Sequence, residues 1–249
     1  MKGKVSKNKF LKVVLPALLV VAIICQAVGF QAVLAKGNVA TTSSDSISNL
    51  TDQQLQALTN PILQSYKADS SHKVWKMTND SRLAVLANQT NIENARLQEV
   101  VKLVNSEFVE KEIISSPLAM VYAQEKDVSY GDILIDIDQT SSITSSSNSK
   151  EAYKITIGEN GVRLTGASEN AIMHGLRTIQ NLIITNDGLV YGEIVDYPNI
   201  AERRVHVDCA RKYISKDWFI RQIREMSYMK MNALQIHFSE NMGFRIECE

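Results

Sequence analysis

Cysteine is scarce in this chain: there are three among 249 residues, and none stands in a CxxC pattern. The four histidines never reach HxxxH spacing. A disulfide-stapled scaffold and the common zinc motifs are therefore excluded. Four prolines and eleven glycines rule out collagen-like and proline-rich architectures. Net charge is absent too, since 27 Lys and Arg balance 27 Asp and Glu. With no basic field to hold a phosphate backbone, general nucleic-acid binding is not expected. What is present is ordinary for a globular chain: 45% hydrophobic and 22% charged residues, at a length that fits one or two domains.

The longest hydrophobic run lies at the start. Lys2, Lys4, Lys7, Lys9 and Lys12 form a basic leader, and Val13 to Ala35 follows without a charge. The run closes on Val33-Leu34-Ala35, a pattern suited to signal peptidase. Residues 1–35 are expected to act as a signal peptide cleaved after Ala35. Uncleaved, residues 13–35 are long enough to span a bilayer, which takes about 20 residues, and would anchor the chain in the membrane. Either way the remainder is expected to be secreted or displayed at the cell surface. Cys25 does not read as a lipidation site, because bulky Ile24 precedes it. Cys209 and Cys248 remain after cleavage; an oxidising compartment permits a bridge, and two buried free thiols are the preferred reading.

Residues 36–72 read as a linker. Ala40 to Ser46 is small and polar and cannot pack a core. Thr51 is a good N-cap for a short helix through Leu55 and Leu58, stopped at Asn60-Pro61. Residues 73–198 read as an α+β domain with two helices on one face of a sheet. Val74 to Leu86 suggests a strand or a strand pair around a polar turn at Asn79-Asp80-Ser81. Leu97, Val101, Val104 and Phe108 give one helix an apolar face. Leu118 to Ala123 is a short strand. Ile133, Ile135 and Ile137 alternate with Asp132, Asp136 and Asp138, which predicts a strand with its aspartates on a solvated face rather than on a metal. Gln139 to Lys150 is rich in Ser and Thr and reads as a flexible loop. Asn160-Gly161 predicts a type I′ hairpin between the runs around Ile155 and Leu164. A second helix starts at Ser168 and carries Ile172, Leu176, Ile179 and Ile183 on one side.

Residues 199–249 hold one β–α–β unit. Arg204 to Ala210 is the first strand. Ser215 caps a helix whose apolar face is Phe219, Ile223, Met226 and Met229, and which ends at Lys230-Met231-Asn232. Ala233 to Ser239 is the second strand, parallel to the first. Ligands of βα units meet the carboxyl ends of the strands. Those ends carry Asp208, Arg211, His237, Glu240 and Asn241, with Arg245 just beyond. Arg donors and carboxylate acceptors suit neutral polyols; an internal ion-pair network bracing the strand ends is the competing reading of the same residues.

Several motifs in order carry a resemblance. Arg204-x-x-x-Asp208-x-x-Arg211-x-Tyr213, the helix end Lys230-Met231-Asn232, and Leu234-x-Ile236-His237-Phe238-Ser239-Glu240-Asn241-x-Gly243-Phe244-Arg245-Ile246 resemble the opening of the catalytic barrel of glycoside hydrolase family 20. These are the β-N-acetylhexosaminidases and lacto-N-biosidases. The preceding domain, with Gly166-Ala167-Ser168 leading into His174-Gly175-Leu176-Arg177-Thr178-Ile179-Gln180-Asn181-Leu182, resembles that family's non-catalytic α+β domain. Glu240-Asn241 stands where the family often has Asp-Asp, and Val205 where a Gly often follows the strand's Arg.

The resemblance implies an α+β non-catalytic domain followed by the beginning of a (β/α)8 TIM barrel, truncated after about two strands. It implies retaining hydrolysis in which the substrate's own 2-acetamido oxygen attacks the anomeric carbon, an Asp orients that group, and an adjacent Glu protonates the leaving oxygen. No catalytic residue is expected in this chain, because the family's Asp-Glu pair follows the fourth strand and would lie beyond Glu249. Glu247 and Glu249 do not replace it. Arg211 matches the Arg that holds hydroxyls of the terminal N-acetylhexosamine, with Asp208, His237 and Glu240 as supports. The implied partner is a glycan or glycoconjugate ending in N-acetylhexosamine, and the resemblance implies no metal or organic cofactor. Lacto-N-biosidase activity and a non-catalytic exported carbohydrate-binding or scaffold role are the alternatives.

Overall fold

A computed structural model describes residues 47–138, 143 and 149–247, all within the unit Thr42–Glu249. The expected signal segment, Cys25, Cys248 and most of the 139–150 loop lie outside the described residues. No helix of the described residues is long and apolar enough to cross a membrane.

The main sheet has seven strands: β1 (Ser65–Ala68), β3 (Arg82–Leu86), β4 (Ala119–Ala123), β5 (Ile133–Ile137), β6 (Tyr153–Gly158), β7 (Gly161–Gly166) and β9 (Gly192–Asp196). Their order is β1-β9-β6-β7-β5-β3-β4. The β4, β3, β5 and β7 side is parallel, and the β7, β6, β9 and β1 side is antiparallel. Short β2 (Val74–Trp75) pairs with β8 (Leu189–Val190). Of the two expectations for residues 74–86, a strand or a strand pair, the region holds two strands that do not pair with each other: Trp75 is fully buried and donates its indole N–H to the Tyr130 carbonyl at 2.6 Å.

Helix α1 (Asp52–Gln56), single-turn α2 (Gln89–Ile92), α3 (Ala95–Glu110) and α4 (Glu169–Asn186) complete this layer. Alternation decides the faces: Leu83 and Val85 join the large core with Leu97, Val101 and Phe108 of α3 and Ile172, Leu176 and Ile179 of α4. Ala84 and Leu134 point to a small second cluster on the opposite face. Ser168 caps α4 as its sequence promises, accepting the Ala171 N–H at 3.3 Å.

Three sequence expectations fail here for identifiable reasons. Residues 47–72 are not a linker: Ile47, Leu55, Leu63 and Tyr66 are buried in the core, and β1 pairs with β9. The Thr51–Gln54 capping box and the Asp52 carboxylate, which accepts the Ala68 N–H, fold the segment back onto the sheet. The β5 aspartates are not solvated. Asp132 is 1% exposed and Asp136 7%. Arg82 grips Asp132 from the neighbouring strand with Nε–Oδ1 at 2.9 Å and Nη2–Oδ2 at 2.5 Å. Burial alone would raise this carboxyl; the Arg82 and Ser129 hydrogen bonds outweigh it and hold it below its usual value. Asp136 accepts from Asn88, Asn91 and Arg163. The hairpin forms, but not as type I′. Gly158 pairs with Gly161, so Glu159 and Asn160 are the loop, and the positive φ of 89° belongs to Gly161. A Cβ there would stand 2.6 Å from the Asp132 carbonyl, so only glycine fits.

The β–α–β unit is β10 (Arg204–Asp208), α5 (Lys216–Tyr228) and β11 (Ala233–His237), its strands parallel with Arg204 level with Ala233 and Asp208 with His237. Ser215 caps α5 by accepting the Trp218 N–H. The expected apolar face of α5 is covered only in part: Met226 is buried, while Ile223 and Met229 are 51% and 41% exposed.

Buried charges join this unit to the sheet. Lys230, left-handed at φ 53°, reaches Asp196 Oδ2 and the Tyr153 hydroxyl, both at 2.8 Å. Tyr153 donates to Asp196 at 2.7 Å. Burial lowers the Lys230 ammonium, with Asp196 pulling it back up, and burial beside Asp196 raises the Tyr153 phenol well above its usual value. Arg203 spans the same junction, donating to Glu151 at 2.8 Å and to the Lys230 carbonyl at 2.7 Å. A third bond set runs from Arg177 on α4 to Glu107 on α3 and to Ser227 on α5.

Arg177 is 1% and Glu107 6% exposed. Removing one partner leaves a bare buried charge, which costs roughly 3–5 kcal/mol, whereas replacing both by apolar groups is often close to neutral. Arg177→Met should therefore destabilise strongly in urea denaturation, and Arg177→Met with Glu107→Leu should regain most of the loss. A double variant no better than the single would contradict this account.

His174 on α4 lies beside the same junction. Burial, with Lys230 and Arg203 nearby, lowers its pKa to about 4 against the opposing pull of Glu151 and Asp196. Unfolding lets it titrate near its ordinary 6.5. The unfolded chain then binds a proton that the native chain refuses, so this contribution is complete above that value and is lost as the pH falls toward 4. The loss is roughly 3 kcal/mol. Melting scans between pH 7 and 4.5 should show a steeper decline for the wild type than for His174→Gln; equal slopes would be the contrary result.

Candidate functional site

The register of β10 and β11 places Asp208 beside His237 at the carboxyl ends of the pair. Cys209 N–H bonds the His237 carbonyl at 3.1 Å and extends the pairing by one residue. The Asp208 carboxylate then turns the chain: Oδ1 accepts the N–H groups of Ala210 and Arg211 at 3.0 and 3.4 Å. Short-range bonding of this kind is a habit of Asp. It brings the Arg211 side chain back, with Nε 3.0 Å from Asp208 Oδ2.

Glu240 comes from the next element. Strand β12 (Ser239–Glu240) pairs with β13 (Gly243–Phe244) in a small hairpin. The hairpin directs Glu240 Oε2 to 3.2 Å from His237 Nε2 and 3.8 Å from Arg211 Nη2. The structure thus brings together all four residues singled out from sequence: Arg211, Asp208, His237 and Glu240. Asn241 lies exposed in the hairpin turn and joins none of these contacts. Arg245 returns instead to the strand end, its Nε donating to the Cys209 carbonyl at 3.2 Å.

The Arg211 side chain is 65% exposed, against 28% for Asp208 and 30% for Glu240. Two carboxylates hold one edge of the guanidinium, and Nη1 takes part in neither pair. That leaves a fixed, planar donor facing solvent beside carboxylate acceptors. Donors and acceptors of this kind match the hydrogen-bonding groups of adjacent hydroxyls on a neutral ligand. The ligand atoms of Asp208, His237 and Glu240 all lie within 4.8 Å of one another, the only such metal-capable group among the described residues. The guanidinium already supplies their positive charge, so the donor set is that of an ion-paired clamp.

Sequence reasoning did not find the polar residues behind this edge. Glu151, Asp196 and Lys230 sit at the opposite strand ends, where Arg203 also takes the Asn232 side-chain carbonyl through its own N–H at 2.9 Å. The left-handed Lys230 was legible as a helix stop; its buried ammonium was not.

The sequence model for glycosyl hydrolase family 20, domain 2, matches residues 58–197, and that for the family's catalytic domain matches residues 202–249. Beta-hexosaminidase B of Pseudoalteromonas piscicida is 30% identical over 95 residues, which is 38% of this chain and 12% of that protein. N,N'-diacetylchitobiase of Vibrio harveyi is 30% identical over 98 residues, 39% of this chain and 11% of that one. The chain thus matches only about an eighth of the length of these relatives. Among solved structures, the Flavobacterium johnsoniae chitobiase superposes with TM-score 0.64 at 19% identity, covering 80% of this chain and 29% of that one. The β-N-acetylhexosaminidase of Streptomyces coelicolor A3(2) gives 0.58 at 18% identity, covering 78% and 37%. At these identities the structural likeness speaks to the fold.

The hairpin that delivers Glu240 depends on Gly243. A Cβ there would stand 2.5 Å from the Ala210 carbonyl oxygen, a backbone atom that cannot step aside. Gly243→Ala should push the hairpin off the β10 end, at a cost of about 1–3 kcal/mol. The readout is amide exchange at Arg245, whose N–H bonds the Phe238 carbonyl at 3.0 Å. Exchange there should accelerate at least tenfold; unchanged protection would mean the contact does not fix the hairpin.

Proposed function

We propose, on the premise that this chain belongs to glycosyl hydrolase family 20, that it is part of an exported β-N-acetylhexosaminidase that removes terminal β-linked N-acetylhexosamine. Support for the substrate class comes from the relatives, which are named as beta-hexosaminidases and a chitobiase, and from a Vibrio harveyi neighbour solved with N-acetylglucosamine. The basic leader and the charge-free run to Ala35 support export.

The observation that carries the reading is the Arg211 clamp. Asp208 at Nε and Glu240 at Nη2 hold one edge of the guanidinium, so its other edge is set in place before a ligand arrives. Preorganisation of this kind lets a guanidinium give two parallel hydrogen bonds to neighbouring sugar hydroxyls without losing side-chain freedom at the moment of binding. His237, bonded to Glu240, keeps that carboxylate from swinging to solvent.

In this reading residues 202–247 are the first β–α–β of a catalytic (β/α)8 barrel. Hydrolysis proceeds with retention: the substrate's acetamido oxygen displaces the leaving group, and an Asp-Glu pair on a later strand orients the acetamido group and protonates the leaving oxygen. The residues of this chain bind and orient the terminal sugar; they do not move the proton.

Lysine cannot copy the planar fork. Arg211→Lys in the enzyme extended through the later strands should lower kcat/KM on a chromogenic N-acetylglucosaminide at least tenfold, or about 1.4 kcal/mol. Residues 36–249 alone should not turn the substrate over. Turnover by the short form, or an unchanged kcat/KM in the variant, would each overturn the assignment it tests.

A further inference from the structure

At the ends of β10 and β11 opposite Asp208 and His237, the junction with the sheet forms a half-open cavity of about 210 Å³. Its charges are cancelled within the protein. Lys230 lies 2.8 Å from Asp196, and Arg203 lies 2.8 Å from Glu151. An ionic ligand would have to break one of these pairs, so the cavity selects against charge.

One buried polar side chain in its wall has no hydrogen-bond partner among the described residues. His174 is 8% exposed, and no described residue hydrogen-bonds its ring nitrogens. Gln180 Nε2 is the one fully sealed, unpartnered side-chain atom among the described residues. The His174 nitrogens are therefore not sealed; the residue lines this cavity and a second cleft beside Met226 and Leu234. A neutral imidazole offers one N–H donor and one lone pair. A buried polar group without a partner is unfavourable by about 1–3 kcal/mol, a penalty a ligand can relieve. Around it Pro61, Ile62, Pro198 and Ile200 give apolar walls, and exposed Asn199 adds an amide.

We propose that this cavity is a binding site for a single neutral sugar ring. A pyranose presents C–H faces to the proline and isoleucine walls and hydroxyls that both donate to and accept from His174 and Asn199. The volume lies below the roughly 300–1,000 Å³ of pockets that bury drug-sized ligands, which admits one ring and excludes an oligosaccharide lying wholly inside. The site does not depend on the hydrolase reading, because it uses neither Arg211 nor any later strand.

The test is a titration of the full chain with methyl β-D-glucopyranoside, followed through the ring Cε1–H signals of its four histidines. Concentrations reach about 100 mM, to saturate a site with Kd on the order of 10 mM. His174→Gln assigns the signal; if that variant does not fold, substitution of His72, His206 and His237 in turn assigns it by elimination. The His174 signal should move saturably. Ile200→Trp, at a position 68% exposed on the cavity rim, should weaken the response at least tenfold without disturbing the fold. No movement of His174, a movement that does not saturate, or an equal response to sodium acetate would overturn the proposal. So would a shift confined to His237, which would place the sugar at the Arg211 edge and leave the hydrolase reading standing. Loss of turnover in an extended enzyme, by contrast, would leave the His174 titration unchanged.

Discussion

A charge taken out of water has to find its counter-charge, and the junction between the sheet and the β–α–β unit is arranged around that requirement. Lys230 follows the last turn of α5 and leads into β11. Its ammonium is buried against Asp196 at the end of β9, and its carbonyl receives Arg203, the residue before β10. Both strands of the unit are thus tied at their amino ends to one point of the sheet. Few other positions of the unit would leave these charges satisfied, so electrostatics fixes a placement that the half-exposed apolar face of α5 is too weakly covered to fix by itself.

The consequence reaches the other end of the strands. β10 and β11 are five residues long, a rigid span of roughly 16 Å at about 3.3 Å per residue. Anchoring their amino ends sets the register, and register decides that Asp208 lies level with His237. From there the arrangement is local: a carboxylate turns its own loop to recover Arg211, and a tight hairpin supplies Glu240. The cluster at the carboxyl ends is thus tied through two short strands to the junction behind it.

Much of this was legible in the sequence where periodicity and capping agree. Ser168 and Ser215 start the helices they were expected to start, and Ile172, Leu176 and Ile179 are buried as their spacing requires. The four residues at the strand ends could be grouped because parallel β–α–β geometry brings carboxyl ends together. Legibility stopped where partners are distant along the chain. Asp132 and Asp136 alternate like solvated residues, and partners on other elements, Arg82 for the first and Asn91 and Arg163 for the second, make them interior ones. Residues 36–72 read as a linker because Ala40 to Ser46 is small and polar, whereas Leu55 and Tyr66 further on are buried by partners distant along the chain. The positive φ at Gly161 rather than Asn160 follows from how closely the hairpin approaches the Asp132 carbonyl.

The position of β1 has an implication for how the molecule can be cut. It forms one margin of the sheet, covering the outer hydrogen-bonding groups of β9 through four matched residues. A chain begun at residue 73, where sequence composition invites a boundary, would lose that cover together with the buried Tyr66 ring. The bared backbone of β9 would then offer its N–H and C=O groups to any passing strand, and a second copy of the same protein is the most abundant one available. The short polar segment ahead of the sheet is in this sense a guard against self-association, and its value is greatest where the protein is most concentrated.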